Sequence, residues 1–91
     1  VELYIGILGR EARGRAYKIV DSLRKKGVIV ETDYMDRSAK AQMKYANKIG
    51  AKYTVMMGSN ELESGIVHLK NMEDGQQQEI SIEALANGAW R

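Results

Sequence analysis

The order of the predicted elements constrains the fold more than any other feature of this sequence. Apolar runs rich in β-branched and aromatic residues, typical of buried strands, occupy residues 1–8, 28–34 and 52–58. Segments with helical spacing of apolar residues separate these runs, and Gly27 and Gly50 stand where each helix would end. The inner face of the second helix is expected to carry four apolar residues, Ala39, Met43, Ala46 and Ile49. A β-α-β-α-β order requires right-handed crossovers, so the sequence predicts a parallel sheet flanked by helices.

The connection after the third strand breaks this pattern. Only residues 59–64 separate it from the next apolar run at 65–72, whereas a parallel crossover needs about a dozen residues. The fourth strand is therefore expected to run antiparallel to the third. A turn signal at 73–75 leads to a fifth strand at 76–82, and residues 83–90 can add a short helix. The sequence thus predicts an α/β fold with a five-stranded mixed sheet.

Composition excludes several classes of protein. The chain has 91 residues, no cysteine and one histidine, which predicts one domain without disulfides, a thiolate nucleophile or a cysteine-based zinc site. It contains neither a run of about 18 apolar residues that would cross a membrane nor a signal-peptide pattern. These features fit a cytoplasmic protein with no membrane partner. The chain begins inside an apolar run without methionine, which we interpret as a piece of a longer protein.

Charge is distributed unevenly along the chain. Residues 1–60 contain twelve basic and six acidic residues, whereas residues 61–91 contain two basic and six acidic residues. Within the basic part, lysine recurs at every fourth position from Lys40 to Lys52, with no acidic residue in between. Side chains four residues apart are neighbours on a helix. This lysine row therefore predicts either a surface that binds a polyanion or a solvated helix face.

No pattern of catalytic or metal-ligating residues is present. His68 is the only histidine and alternates with apolar residues, which is typical of a surface position on a strand. Gly6 and Gly9 follow the first strand but match neither a dinucleotide-binding motif nor a phosphate loop. The acidic pairs at 33/36 and 61/63 have no histidine or nucleophile beside them in the sequence. We therefore expect no catalytic residue, no metal site and no cofactor in this chain.

The residues around the first lysine favour RNA as the polyanion. Ser38 is a plausible N-cap for the second helix, and with Arg37 it marks a helix start where the dipole favours an anion. Gln42 offers both a donor and an acceptor one turn further on. Tyr34 and Tyr45 can stack on an unpaired base or fill the core. Together these residues predict a surface for single-stranded RNA.

Two stretches of the chain resemble a known family. The stretch RSAKAQMKYA at 37–46 and the stretch GSNELESG at 58–65 are similar to the C-terminal anticodon-binding domain of histidyl-tRNA synthetases, which are class II aminoacyl-tRNA synthetases. The similarity runs from the first strand to about Leu85 and leaves residues 86–91 without an assignment. The resemblance implies a three-layer α/β/α fold whose five-stranded mixed sheet has its fourth strand reversed.

The resemblance also implies a site that reads bases. By position, Ser38, Glu61 and Lys70 correspond to base-contact residues of the family, although threonyl relatives carry arginine where this chain has Lys70. A carboxylate only accepts hydrogen bonds and an ammonium group only donates them, so Glu61 suits the N–H groups of guanine and Lys70 suits a carbonyl of uracil or guanine. We expect four base contacts, three phosphate contacts and one stacking contact: Ser38, Gln42, Glu61 and Lys70 for bases, Arg37, Lys40 and Lys44 for phosphates, and Tyr34 for stacking.

The resemblance further implies a function for the longer protein. Residues 1–91 would be a single anticodon-binding domain of a histidine–tRNA ligase that recognises tRNA-His. Its catalytic domain, ATP and Mg²⁺ would lie elsewhere in a homodimeric full-length enzyme. One alternative is a synthetase paralogue, either a regulatory subunit of histidine biosynthesis or a sensor of uncharged tRNA. Another is a small α/β module that binds protein or nucleotide, with the lysines as a solvated face.

Overall fold

The computed structural model describes all residues from 1 to 91. Its elements are β1 (Leu3–Ile7), α1 (Arg13–Lys25), β2 (Val30–Thr32), α2 (Ala39–Lys48), β3 (Tyr53–Met57), α3 (Ser59–Ser64), β4 (Ile66–Asn71), β5 (Gln77–Ser81) and α4 (Ile82–Asn87). A short 3₁₀ turn, Arg10–Ala12, leads into α1. None of the four α-helices has the length and apolar character that crossing a membrane requires.

The strands form one sheet in the order β2-β1-β3-β4-β5. β1 pairs in parallel with β2 and with β3, whereas β4 is antiparallel to both of its neighbours. The reversed fourth strand that the short connection predicts is therefore confirmed, and α3 fills that connection with six residues of helix. Because helices pack on both faces of this five-stranded mixed sheet, the three-layer α/β/α fold is confirmed as well.

Helices cover the two faces of the sheet unequally. α1 and α4 pack on one face, called the α1/α4 face, where sixteen buried apolar residues form the main core. α2 packs on the opposite face, called the α2 face, where the buried apolar cluster consists of Tyr4, Ala46 and Ala51. All five residues of β1 are buried, because helices cover this strand from both sides.

Side-chain alternation along the strands separates the two faces. Four residues of β3 and β4 belong to the main core: Val55, Met57, Val67 and Leu69. Successive side chains of a strand point to opposite faces. The residues between them therefore point to the α2 face, and these are Thr54, Met56, His68 and Lys70. The same strands thus supply apolar residues to one face and mainly polar residues to the other.

The helix ends follow the sequence signals closely. Ser38 is the N-cap of α2, and its hydroxyl accepts a hydrogen bond from the Ala41 N–H at 3.2 Å. Gly27 and Gly50 adopt left-handed φ angles of 83° and 70°, as expected just beyond a helix end. β2, in contrast, is shorter than the predicted strand at 28–34.

The predicted inner face of α2 is partly wrong. Ala46 is buried as expected, but Ala39 is exposed, and Met43 and Ile49 are only half-buried. The central buried side chain of α2 is instead that of Gln42, which has no exposed surface. An amide buried between a helix and a sheet needs hydrogen-bond partners, and β1 supplies two of them.

The last residues, to which the sequence assigns no role, pack against the sheet. The Trp90 ring contacts the Tyr53 ring edge to face at 5.5 Å, and its Nε1–H donates to the Leu85 carbonyl at 2.9 Å. Arg91 donates two hydrogen bonds to the Glu2 carboxylate, at 3.0 and 3.1 Å. The segment 86–91 therefore ties the end of the chain to the start of β1 and β3.

Candidate nucleic-acid interface

The α2 face contains an open cleft beside α2. The cleft has a volume of about 310 Å³. Its lining side chains come from the end of β1, from α2 and α3, and from the α2 face of β3, β4 and β5: Leu8, Met43, Thr54, Met56, Glu61, His68, Lys70 and Gln77. Three of these residues are apolar and five are polar or charged, so the cleft offers both apolar contact and hydrogen-bonding groups. A nucleobase, with apolar faces and polar edges, matches such a lining.

Glu61 and Lys70, both expected to contact bases, line this same cleft. The Gly58 N–H donates to Glu61 Oε1 at 2.7 Å, a contact that caps α3 and orients the carboxylate. Lys70 is half-buried on β4, opposite Thr54 of β3. The cleft therefore combines one acceptor group with one cationic donor group, the combination that suits a base edge with both N–H and carbonyl groups.

Six other residues line the cleft, and the sequence assigns none of them a role in RNA binding. His68 is exposed, as its strand position predicts, with its Nε2 3.5 Å from the Glu79 carboxylate. It shares the α2 face with Lys70 because the two residues are two apart on one strand. This period-two relation was a signal that could have placed His68 in the site. Met43 and Met56 come from different elements, and only the packing of α2 on the sheet brings them together.

Gln42 does not lie where a base could reach it, so its predicted role as a base contact is wrong. The Ile7 N–H donates to Gln42 Oε1 at 2.8 Å, and Gln42 Nε2 donates to the carbonyls of Ile7 and Arg37, each at 2.8 Å. β2 ends at Thr32, opposite Ile5, so Ile7 has no strand partner on that side. The Gln42 amide takes the place of that partner, and its hydrogen-bonding groups are used inside the protein.

Arg37, expected to contact a phosphate, is held by the buried carboxylate of Asp33. The Arg37 backbone N–H donates to Asp33 Oδ2 at 2.9 Å, and its Nε–H donates to Asp33 Oδ1 at 3.1 Å. The guanidinium carbon lies 4.5 Å from the centre of the Tyr45 ring, within cation–π range. The side chain of Arg37 is still 31% exposed, whereas that of Asp33 is 2% exposed. Arg37 thus has both a structural role and an accessible surface.

Beneath this arginine lies a pair of tyrosines. The rings of Tyr4 and Tyr45 meet edge to face at 5.9 Å. The Tyr4 hydroxyl is buried without a hydrogen-bond partner. Burial, with a smaller contribution from the negative charge of Asp33, raises the pKa of Tyr4 to about 12. Tyr45 packs against the α2-face cluster, so it has a core role and supports the Arg37 guanidinium as well.

The N-cap and the exposed side of α2 carry the other predicted contacts. Ser38, Lys40 and Lys44 are all exposed. Gln42 faces the sheet, and a helix turns about 100° per residue, so the lysines point away from the sheet. Lys52 is not part of the lysine row, because α2 ends at Lys48. The row therefore has three members on the helix, and Lys40 lies closest to the N-cap.

Tyr34, the predicted stacking residue, lies in the loop between β2 and α2. Its side chain is 57% exposed, and its ring stacks on Tyr17 with 5.5 Å between ring centres. The neighbouring Met35 is 73% exposed. Arg13 pairs with Asp36 in the same loop, and this ion pair lowers the pKa of the Asp36 carboxyl. One face of Tyr34 is thus used within the protein.

These observations define a class of protein. A family model described as the anticodon binding domain matches residues 2–89, and the chain belongs to this family. It is 56% identical over 86 residues to the histidine–tRNA ligase of Clostridium kluyveri, and this alignment covers 94% of the present chain and 21% of the relative. It is also 50% identical over 84 residues to the histidine–tRNA ligase of Acetivibrio thermocellus, and that alignment covers 92% of the present chain and 20% of the relative.

Solved structures agree with this membership. Apo histidyl-tRNA synthetase from S. aureus matches with a TM-score of 0.93 and 36% identity, over 97% of this chain and 23% of that one. The RNA binding domain of threonyl-tRNA synthetase from Cryptosporidium parvum, 17% identical, has a TM-score of 0.82 over 96% of this chain and 22% of that one, which shows the shared fold alone. The chain spans about a fifth of the length of the curated relatives it matches.

Proposed function

We propose that this chain, residues 1–91, is the single anticodon-binding domain of a histidine–tRNA ligase and that it binds the anticodon loop of tRNA-His. The observation that carries this proposal is the cleft, in which Glu61 and Lys70 lie together beside the apolar side chains of Leu8, Met43 and Met56. The identity of 56% to a histidine–tRNA ligase supports the choice of tRNA. The histidine anticodon contains guanine and uracil, and these bases present the N–H and carbonyl groups that the cleft complements.

In this proposal, one unstacked base enters the cleft. Glu61 accepts from guanine N–H groups, while Lys70 donates to a base carbonyl. Met43 and Met56 contact the base faces with their polarizable side chains. Ser38 lies at the start of α2 and offers its hydroxyl to a second base. The exposed ring of Tyr34 stacks on a third base.

Cationic side chains at the start of α2 hold the RNA backbone. Lys40 and Lys44 are exposed on α2, and Arg37 is partly exposed just before the helix begins. Phosphate contacts of this kind set the position of the RNA without reading its sequence. For each phosphate contact, log K for RNA binding should fall by about 0.7 with every tenfold rise in salt concentration.

The chemistry of the longer protein would occur outside this domain. The proposed enzyme attaches histidine to its tRNA with ATP and Mg²⁺ in a catalytic domain of the same chain, and works as a homodimer in the cytoplasm. The present domain supplies binding energy and anticodon specificity, and holds no cofactor of its own. The chain spans about a fifth of its relatives, which leaves room for such a catalytic domain.

Fluorescence anisotropy with a labelled anticodon stem-loop of tRNA-His tests the proposal. We expect this RNA to bind more tightly at low salt than a stem-loop with a scrambled anticodon. Glu61→Gln is the sharpest variant, because the glutamine oxygen can still cap α3 while its NH₂ group replaces an acceptor with a donor. It should reduce the preference for the true anticodon about tenfold.

Glu63→Gln is the matched control, since Glu63 is exposed on the same short helix and does not line the cleft. This variant changes the net charge equally and should keep the preference. Equal binding to both stem-loops by the unmodified protein would overturn the anticodon-reading proposal. Equal effects of the two substitutions would remove the base-contact role of Glu61.

A further inference from the structure

Arg37 is constrained at four separate points. Its backbone N–H and its side-chain Nε–H both donate to the Asp33 carboxylate, and its carbonyl accepts from Gln42 Nε2. The guanidinium face rests on the Tyr45 ring. The two Nη groups, by contrast, donate to no protein acceptor in the structure, and the side chain is 31% exposed.

We propose that Asp33 and Gln42 are positioning residues that preset the Arg37 guanidinium as a two-pronged donor for one RNA phosphate. This inference rests on the proposed function and adds to it a mechanism of preorganisation. An arginine side chain loses considerable rotamer freedom when it grips a ligand. Because the protein already orders Arg37, the cost of ordering is met during folding and not during RNA binding.

The geometry suits a phosphate in particular. The Asp33 carboxylate uses Nε, and the Tyr45 ring covers one face, so the remaining N–H groups lie in a fixed plane at the outer end of the side chain. Two parallel N–H donors match two oxygens of a phosphate. Gln42 acts at the backbone, because its amide links the Arg37 carbonyl to the end of β1.

Asp33 provides a test in which two explanations predict opposite signs. If Asp33 acted on RNA only through its charge, Asp33→Asn would remove a repulsive negative charge and strengthen binding. If Asp33 positions Arg37, the same substitution places an NH₂ group or a weaker acceptor against Nε and frees the guanidinium. We then expect binding of the anticodon stem-loop to weaken about fivefold.

The experiment measures anisotropy with the same stem-loop over a range of salt, on variants shown by circular dichroism to be folded at the temperature used. Arg37→Met should weaken binding about tenfold and lower the salt slope by about 0.7, the value for one lost phosphate contact. Gln42→Met should weaken binding about fivefold through loss of the hold on the Arg37 carbonyl.

Asp36→Asn is the matched control, because Asp36 is an exposed acid of the same loop that pairs with Arg13. Asparagine also tolerates the φ of 52° at this position. This variant should bind as tightly as the unmodified protein or more tightly. Leu85→Ala, which weakens the opposite face of the sheet, controls for loss of stability and should leave RNA affinity unchanged in the folded protein.

The double variant Asp33→Asn/Arg37→Met decides whether Asp33 acts through Arg37. It should bind no more weakly than Arg37→Met alone, since the arginine that Asp33 positions is already gone. Unchanged or tighter binding by Asp33→Asn, or additive losses in the double variant, would overturn the inference. If the unmodified protein binds RNA but shows no preference for the true anticodon, only the proposed function is overturned. The salt slopes of the variants still report on the Arg37 phosphate contact.

Discussion

The two faces of the sheet are built from the same strands but stabilised in different ways. On the α1/α4 face, sixteen buried apolar residues from strands and helices pack together. On the α2 face, only three buried apolar residues form a cluster, and buried polar groups such as Gln42 and Asp33 make the remaining contacts. The first face is held by non-directional apolar burial, and the second by hydrogen bonds that require a defined geometry.

This difference assigns different tasks to the two faces. Apolar burial supplies most of the folding free energy of a small domain, so the α1/α4 face carries the stability. The polar contacts of the α2 face add less net free energy, but they set the positions of the β2–α2 loop and of Arg37. The unfilled part of the α2 face is the cleft. The proposed RNA-binding cleft therefore lies on the face that contributes less to stability.

The largest expected effect comes from a cavity in the main core. Leu85 on α4 is fully buried, and Leu85→Ala should lower the free energy of unfolding by about 2–5 kcal/mol. Urea unfolding followed by circular dichroism measures this loss. Leu62→Ala, at a residue only partly buried at the margin of the same core, should cost clearly less. A loss below about 1 kcal/mol for Leu85→Ala would contradict the division between the two faces.

A smaller effect on stability, with a larger effect on RNA, is expected at Gly6. A Cβ added there would overlap the Met56 thioether and lie 3.0 Å from Gln42 Oε1. Met56 is flexible and can move, so Gly6→Ala should cost about 1–3 kcal/mol of unfolding free energy. Because Met56 lines the cleft, its displacement should also weaken binding of the anticodon stem-loop several-fold.

Gly14→Ala is the control for this glycine. A Cβ on Gly14 of α1 would meet no atom within 4 Å, and alanine favours a helix, so this variant should be unchanged or more stable by up to about 1 kcal/mol. It should also bind RNA normally. Equal RNA binding by Gly6→Ala and Gly14→Ala would show that Met56 does not shape the cleft.

The smallest expected effect concerns the unpartnered hydroxyl of Tyr4. Tyr4→Phe removes a buried hydroxyl that has no hydrogen-bond partner. At pH 7 the free energy of unfolding of this variant should lie within about 1 kcal/mol of that of the unmodified protein, or above it. The pKa of Tyr4 is raised to about 12 by burial, so the neutral form is favoured in the folded state. The stability that the neutral Tyr4 side chain contributes to the folded state is fully present below about pH 10 and is lost as the pH rises towards 12.

Denaturation in urea at pH 7 and at pH 11 checks this prediction. The unmodified protein should lose more stability between these two values than Tyr4→Phe. Tyr34→Phe, at a tyrosine that is 57% exposed, should show the same pH dependence as the unmodified protein. A loss of more than about 2 kcal/mol at pH 7 for Tyr4→Phe would mean that the hydroxyl has a stabilising partner.

Much of the fold could be predicted because it depends on neighbours in the sequence. The reversed β4 follows from a connection too short for a parallel crossover. Ser38 and Gly50 mark helix ends through local hydrogen bonds and backbone angles. The resemblance to a family supplied Glu61 and Lys70, which meet in one cleft although periodicity alone does not link α3 to β4.

The tertiary structure alone decided which polar side chains are buried and which surface stays open. The sequence presents Gln42 as an available amide, but β2 ends opposite Ile5, two residues before Ile7, and the amide fills that gap. The sequence presents Arg37 as a phosphate contact at a helix start, and it gives no sign that the buried Asp33 holds the guanidinium. By itself the sequence determined the order and direction of the strands and the C-terminal ends of α1 and α2, because these depend on local spacing. Burial of polar groups depends instead on distant backbone atoms that lack partners, and only the packed fold reveals them.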